Sequence, residues 1–151
     1  MAGMLFSNVI LHDGELKKAW NFLVGKQLGL FMPHALSITA VQAAYDRGDE
    51  WLEQVIDYLD GNFAFLGEFL ERNLPEARYT PPEGTYLAWI DLRAFGREQD
   101  LLEGFVSRGR VLVEGGSMFG PGGEGFIRLN AACSRSLLKE ALERISGVLT
   151  A

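Results

Sequence analysis

Apolar residues recur at helical spacing through the first half of the chain, then run in short strand-like stretches through the second. Leu16, Ala19, Trp20 and Leu23 fall at i, i+3, i+4 and i+7, with Asp13 placed to cap that helix and Gly25 and Gly29 to close it. Pro33 suits a first helical position, and Ile38, Val41 and Tyr45 mark a second helix ending at Gly48. The longest stripe is Leu52, Val55, Ile56, Leu59, Phe63, Leu66, Leu70 and Leu74. With Asp49 as cap it predicts one helix from Asp49 nearly to Pro75, about 25 residues and roughly 37 Å long. Gly61 and Gly67 within it mark a bend or a close packing partner.

After Pro75 the period changes. Arg78-Tyr79-Thr80 leads into a Pro81-Pro82-Glu83-Gly84 turn, and Thr85 to Leu92, TYLAWIDL, reads as a strand. Glu98 to Ser107 reads as a short helix with Leu101, Leu102, Phe105 and Val106 inward. Val111-Leu112-Val113 and Phe126 to Asn130 supply two more strands. Ser134 caps a last helix with Leu138, Ala141, Leu142 and Ile145 on one side. Near the start, Val9-Ile10-Leu11 reads as a short buried strand. Helices followed by β-β-α-β-β-α predict an α+β fold, a small, mostly antiparallel sheet with helices on one face. Met1 to Leu11 is apolar with no polar lead-in, which predicts that other polypeptide precedes it.

At 151 residues the chain is long enough to bury most of its apolar surface as one domain. Its 48% hydrophobic and 23% charged residues suit a soluble globular protein. The net charge of −6 disfavours a nucleic-acid partner. No basic run exceeds Lys17-Lys18, and Leu28 to Tyr45 is too polar to span a bilayer, so a membrane partner is not expected. Cys133 stands alone, which excludes an intrachain disulfide and fits a reducing compartment. No basic region followed by a long apolar segment opens the chain. These features predict a cytoplasmic protein.

Arg128 is the residue with the most pointed chemistry. In a strand Phe126–Asn130, alternation puts Phe126, Arg128 and Asn130 on one face and Ile127 and Leu129 on the other. A guanidinium in that apolar setting needs a partner. Either it pairs with one of the 20 acidic residues, or its planar fork receives a ligand carboxylate. Gly84-Thr85-Tyr86 is open in the same way. A tight turn feeding an aromatic-rich strand can place Tyr86 at a cleft edge, or simply bury Tyr86 and Trp89.

Other motifs carry less. Gly120 to Gly125 satisfies G-x-G-x-x-G, but it opens a strand rather than a helix and Glu124 would repel phosphate. It reads as a tight loop at a pocket mouth. His12 and His34 lack metal-ligand neighbours, Cys133 reads as a small packing residue, and Glu50, Glu53, Asp57 and Asp60 as the solvated face of the long helix.

Taken together, Ala2-Gly3 with Ser7-Asn8-Val9-Ile10, GDEWL at Gly48–Leu52, EGTYLAWID at Glu83–Asp91, GSMFG at Gly116–Gly120 and GEGFIRLN at Gly123–Asn130 with Arg135 resemble the aminotransferase-like, fold-type-I pyridoxal-phosphate enzymes. The branch they are most similar to is that of cystathionine β-lyases, or C–S lyases. The resemblance implies that 49–151 is the C-terminal small domain with its long leading helix, and 1–48 a remnant of the large domain and interdomain segment. It implies that Arg128 grips the substrate α-carboxylate, that Gly84, Thr85 and Tyr86 lie on the substrate-side loop, and that Met118 and Phe119 sit on a mobile loop nearby. It implies an amino-acid substrate, pyridoxal 5'-phosphate as electron sink, a homodimeric intact enzyme, and β-elimination from an L-cysteine conjugate or cystathionine, with transamination as sister chemistry.

One departure is serious. The family's Schiff-base lysine lies in a Ser-Lys-Thr-Phe-Asn-like motif upstream of the counterpart of Met1, and Lys17, Lys18, Lys26 and Lys139 match no such motif. No catalytic residue is therefore assigned, and the isolated chain is expected to be inactive. The contrasting reading is a free-standing, non-catalytic α+β module that binds small carboxylates or a partner protein through apolar surface.

Overall fold

The computed structural model describes residues 6–30, 32 and 34–151; Pro33 and the Ala2-Gly3 pair lie outside the described residues. The chain forms two compact units, Met1–Gln54 and Val55–Ala151.

The first unit is helical. Asp13 caps α1 (Gly14–Asn21), its Oδ1 accepting from the Leu16 N–H at 2.7 Å. The helix does not close at Gly25 but widens into a π-helical turn over Phe22–Gln27 and stops where Gly29 takes φ +66°. Helix α2 (Ala35–Arg47) ends at Gly48, and α3 (Asp49–Asn73) starts at once. Asp49 is thus the first helical residue rather than the cap. Val9-Ile10-Leu11 is not a strand, and Val9 and Ile10 are exposed. Leu16, Trp20 and Leu23 have helical spacing yet also face solvent. Periodicity gave the helix its type but not a cover for its stripe. Phe6, Val41, Tyr45, Trp51 and Leu52 line an apolar groove of about 820 Å³ within this unit.

The second unit holds the core. Its sheet runs β1 (Arg78–Tyr79), β2 (Leu87–Asp91), β4 (Phe126–Asn130), β3 (Glu114–Gly115), antiparallel at every step. Alternation sends Ala88 and Ile90 of β2 and Ile127 and Leu129 of β4 inward, all buried. They meet Phe63, Leu66, Leu70 and Leu74 from the later part of α3, Leu101 of α4 (Glu98–Gly104) and Leu138, Leu142 and Ile145 of α5 (Arg135–Leu149). The fold is α+β, with the helices on one face of the sheet. The alternate positions Leu87, Trp89 and Asp91 of β2 and Phe126, Arg128 and Asn130 of β4 share the opposite, open face.

Three sequence expectations shift. The strand expected over Thr85–Leu92 shortens to Leu87–Asp91, because Thr85 takes φ +72° and leaves the extended region. Val111-Leu112-Val113 is not a strand. Arg110 takes φ +54°, the Val111 N–H returns to the Phe105 carbonyl, and pairing begins only at Glu114. Val106 is exposed rather than inward, since α4 ends in a π-helical turn (Phe105–Gly109) whose extra residue per turn rotates it out of the stripe. Phe105 remains fully buried.

Tyr79 packs its ring against Gly67, and burial pushes its hydroxyl up to about 12. The protonated form is favoured in the folded chain, so this contribution to stability is complete below the ordinary value of 10.0 and lost as pH rises through about 12. Chemical denaturation at stepped alkaline pH should show stability falling in that window, and the Tyr79→Phe variant should lose part of the fall.

Candidate functional site

The open face of the sheet gathers charge and aromatic rings around Trp89. Cross-strand register sets Trp89 opposite Arg128 and Asp91 opposite Phe126. The Trp89 and Phe126 rings stack at 5.4 Å, 15° apart, and Phe119 meets Trp89 edge-on at 5.7 Å. Arg128 lies over the Phe119 ring, its Cζ 4.3 Å from the centroid, and Arg93 lies over Phe126 at 4.9 Å.

Both arginines have carboxylate partners. Asp91 receives Arg93 through Nε at 2.9 Å, Nη2 at 2.7 Å and the backbone N–H at 3.0 Å. The Arg93 side-chain hydrogen bonds outweigh burial and hold the Asp91 carboxyl below its ordinary range. Arg128 donates from Nε to Glu114 Oε2 at 2.6 Å, with Nη2 also 2.6 Å away. Arg128 thus has the structural ion pair that alternation alone left open. Glu114 stands on the adjacent strand and on the same open face, and both side chains keep contact with solvent, at 30% and 45% exposure.

The loop bearing Met118 and Phe119 is tied down by Glu98 at the start of α4. Its carboxylate accepts from the Ser117 hydroxyl at 2.6 Å, the Ser117 N–H at 3.2 Å and the Gly125 N–H at 2.8 Å. Burial alone would raise the Glu98 carboxyl, but these bonds outweigh it and leave it lowered. The loop ends approach so closely that a Cβ on Gly116 or Gly123 would strike the other's carbonyl oxygen, which is what the glycine-rich string serves. It leads into β4, not into a helix. Glu98→Gln should loosen the loop by about 1–2 kcal/mol, seen as faster amide exchange at Ser117 and Gly125. Because the carboxyl is lowered, its stabilisation is present above the ordinary value of 4.5 and disappears as pH falls below it, so the variant and the parent should converge in acid.

Of the residues singled out by sequence, Arg128 and Phe119 meet directly. Met118 is exposed beside them. Gly84, Thr85 and Tyr86 lie at the far end of β2, where the Tyr86 carbonyl accepts from Ala131, three residues or roughly 10 Å along the strand from Trp89. Tyr86 and Trp89 are both partly exposed, not core. Thr85, a β-branched residue at positive φ, is strained, as residues at functional loops often are. Glu98 and Glu114 escaped sequence reading because loop closure and register bring them in, whereas the Asp91–Arg93 pair is local, two residues apart, and was simply not singled out. Cys133 packs against the core and burial raises its thiol, so it is no ready nucleophile. Among the described residues no cluster of metal-ligating side chains occurs, and no helix is long and apolar enough to cross a membrane.

The chain is 37% identical over 151 residues to the cystathionine β-lyase PatB of Bacillus subtilis, covering 99% of this chain and 39% of that protein. Among solved structures it superposes on the pyridoxal-phosphate-bound C–S lyase of Staphylococcus hominis with a TM-score of 0.87 and 39% identity, covering 99% of this chain and 39% of that one. Cystalysin of Treponema denticola, which contains pyridoxal 5'-phosphate, gives a TM-score of 0.90 at 32% identity, with coverage of 99% and 38%. The chain corresponds to the C-terminal part of C–S lyases of the aminotransferase-like, fold-type-I enzymes. It spans about two fifths of the length of these relatives. No protein-family model matches it.

The lysines bear on whether this part could hold the relatives' cofactor covalently. Lys17, Lys18 and Lys26 belong to the first unit, and Lys139 to α5 on the helical side of the sheet. All four are exposed, Lys18 pairs with Glu15 at 2.8 Å, and Lys139 lies 3.5 Å from Glu143. Lys139, the lysine that shares a unit with Arg128, does not stand on the open face. These residues do not fit a covalent pyridoxal-phosphate site.

Proposed function

We propose that this chain is the substrate-gripping part of a pyridoxal-phosphate-dependent C–S β-lyase, in which Arg128 receives the α-carboxylate of a sulfur amino acid. The observation that carries this reading is a guanidinium on the open face of the sheet, backed by Phe119 and still in contact with solvent. A planar fork on an aromatic floor suits a carboxylate held by parallel hydrogen bonds. Cystathionine or an L-cysteine conjugate is the substrate class, with transamination as the alternative chemistry. Tyr86 with Gly84 and Thr85, and Met118 beside Phe119, form the rims of the substrate cleft. The lysine and most cofactor contacts come from polypeptide outside these 151 residues, as do the surfaces that cover the exposed apolar side chains of the first unit and join two copies as a homodimer.

The chain alone is then expected to be inactive. Mixed with pyridoxal phosphate it should show no specific lysine-dependent visible band and should release no pyruvate from L-cystathionine. A band with turnover would overturn the reading. So would an intact enzyme that releases thiol equally well from L-cystathionine and from the derivative esterified at the α-carboxyl of its cysteine half, because Arg128 would then have nothing to grip.

A further inference from the structure

The Arg128–Glu114 contact is lopsided. A guanidinium carries five N–H donors: one on Nε and two on each Nη. Glu114 applies a single oxygen, Oε2, to the side edge formed by Nε and Nη2. Among the described residues no acceptor engages Nη1. The guanidinium also lies over the Phe119 ring, Cζ 4.3 Å from its centroid. The Nε–Nη2 edge is therefore taken, and the end formed by Nη1 and Nη2 is left.

Glu114 is itself held in place. It is the register partner of Arg128 on a strand of two residues, and its neighbour Gly115 sits so close to Glu98 and Leu102 that a Cβ there would strike both. The acid cannot drift far from its partner.

We infer that Glu114 is a positioning residue for carboxylate recognition: it occupies the Nε edge of Arg128 and turns the Nη1–Nη2 end outward to receive the substrate carboxylate. The inference rests on the reading of Arg128 given above. A guanidinium can serve two carboxylates at once, one on its side and one on its end, and fixing its orientation beforehand lowers the ordering cost of binding. Considered as a charge alone, Glu114 should only hinder an incoming anion, so its removal should tighten binding. Positioning predicts the opposite sign.

The test is a titration of the 151-residue chain with acetate at constant ionic strength, followed by amide and arginine side-chain NMR. The unsubstituted chain should show a saturable shift centred on β4 and the Arg128 Nε–H. Glu114→Ala should weaken acetate binding about fivefold or more, whereas Glu114→Gln, which keeps an acceptor oxygen for Nε–H, should stay within about twofold. Equal or tighter binding by Glu114→Ala overturns the inference and leaves the Arg128 reading intact. A titration unchanged in Arg128→Gln, or absent from the unsubstituted chain, removes the Arg128 reading and the inference with it. Should Glu114→Ala fail to fold, rotation about the Arg128 Nε–Cζ bond in the unsubstituted chain decides. Restricted rotation supports the role, and free averaging overturns it.

Discussion

Arg128→Ala in the intact enzyme is expected, on the proposed role of Arg128, to lower kcat/KM by about 2–4 kcal/mol, roughly thirty- to a thousandfold, because it would remove a charge-assisted fork from the substrate carboxylate. Most of the loss should appear in KM, since the carboxylate is held alike in ground state and transition state. Arg128→Lys should recover little, because an ammonium is a point charge and cannot make two parallel bonds. Stability should hardly move. The Arg128–Glu114 pair is partly solvated, and such pairs contribute about 0–1 kcal/mol. Urea denaturation run beside the kinetics separates the two roles. A stability loss that matches the activity loss, or kinetics that do not change, would leave Arg128 as a structural ion pair and nothing more.

The sequence exposed this site unevenly, and the reasons are physical. Alternation alone assigned Arg128 and Phe126 to one face of β4 and Ile127 and Leu129 to the other, and the exposure pattern agrees. Capping chemistry correctly gave Asp13 and Ser134, each accepting a backbone N–H. Register is a long-range property, however, so nothing local revealed that Glu114 would stand opposite Arg128, or Trp89 beside it. The Val111–Val113 stretch misled because a β-branched apolar run is good strand material wherever it lies, while the left-handed turn at Arg110 had already committed it to a return toward Phe105. The exposed stripe of α1 makes the same point for helices, since spacing records that a face is apolar and is silent on what it meets.

Asn62 is the least legible residue of the fold, and replacing it should be the most damaging to stability. It sits mid-helix in an apolar stripe, between Leu59 and Phe63, and is fully buried. Its Nδ2 donates to the Ala131 carbonyl at 2.7 Å and to the Cys133 carbonyl at 3.0 Å, and its Oδ1 accepts from Arg135 Nε at 2.7 Å. One amide thereby fastens α3 to the connection that carries β4 into α5. Gly61 makes room for this, because a Cβ there would crowd the Arg135 guanidinium at 2.9 Å, and Tyr58 adds its hydroxyl to the Arg135 N–H. Asn62→Leu preserves size but leaves the buried Ala131 carbonyl, the partly buried Cys133 carbonyl and the partly buried Arg135 N–H without their partner, at about 1–3 kcal/mol for a fully buried group and less for the other two. The variant should lose about 3–4 kcal/mol, read as a lower urea midpoint at unchanged slope. Arg135→Ala removes only the half-exposed partner and should cost about 1 kcal/mol. A loss below about 1 kcal/mol for Asn62→Leu would mean that the freed carbonyls reach water, and that the end of β4 is not fixed by α3. Because Arg128 lies only two residues before that end, the same variant should also broaden the β4 amide signals. Arg135→Ala should not.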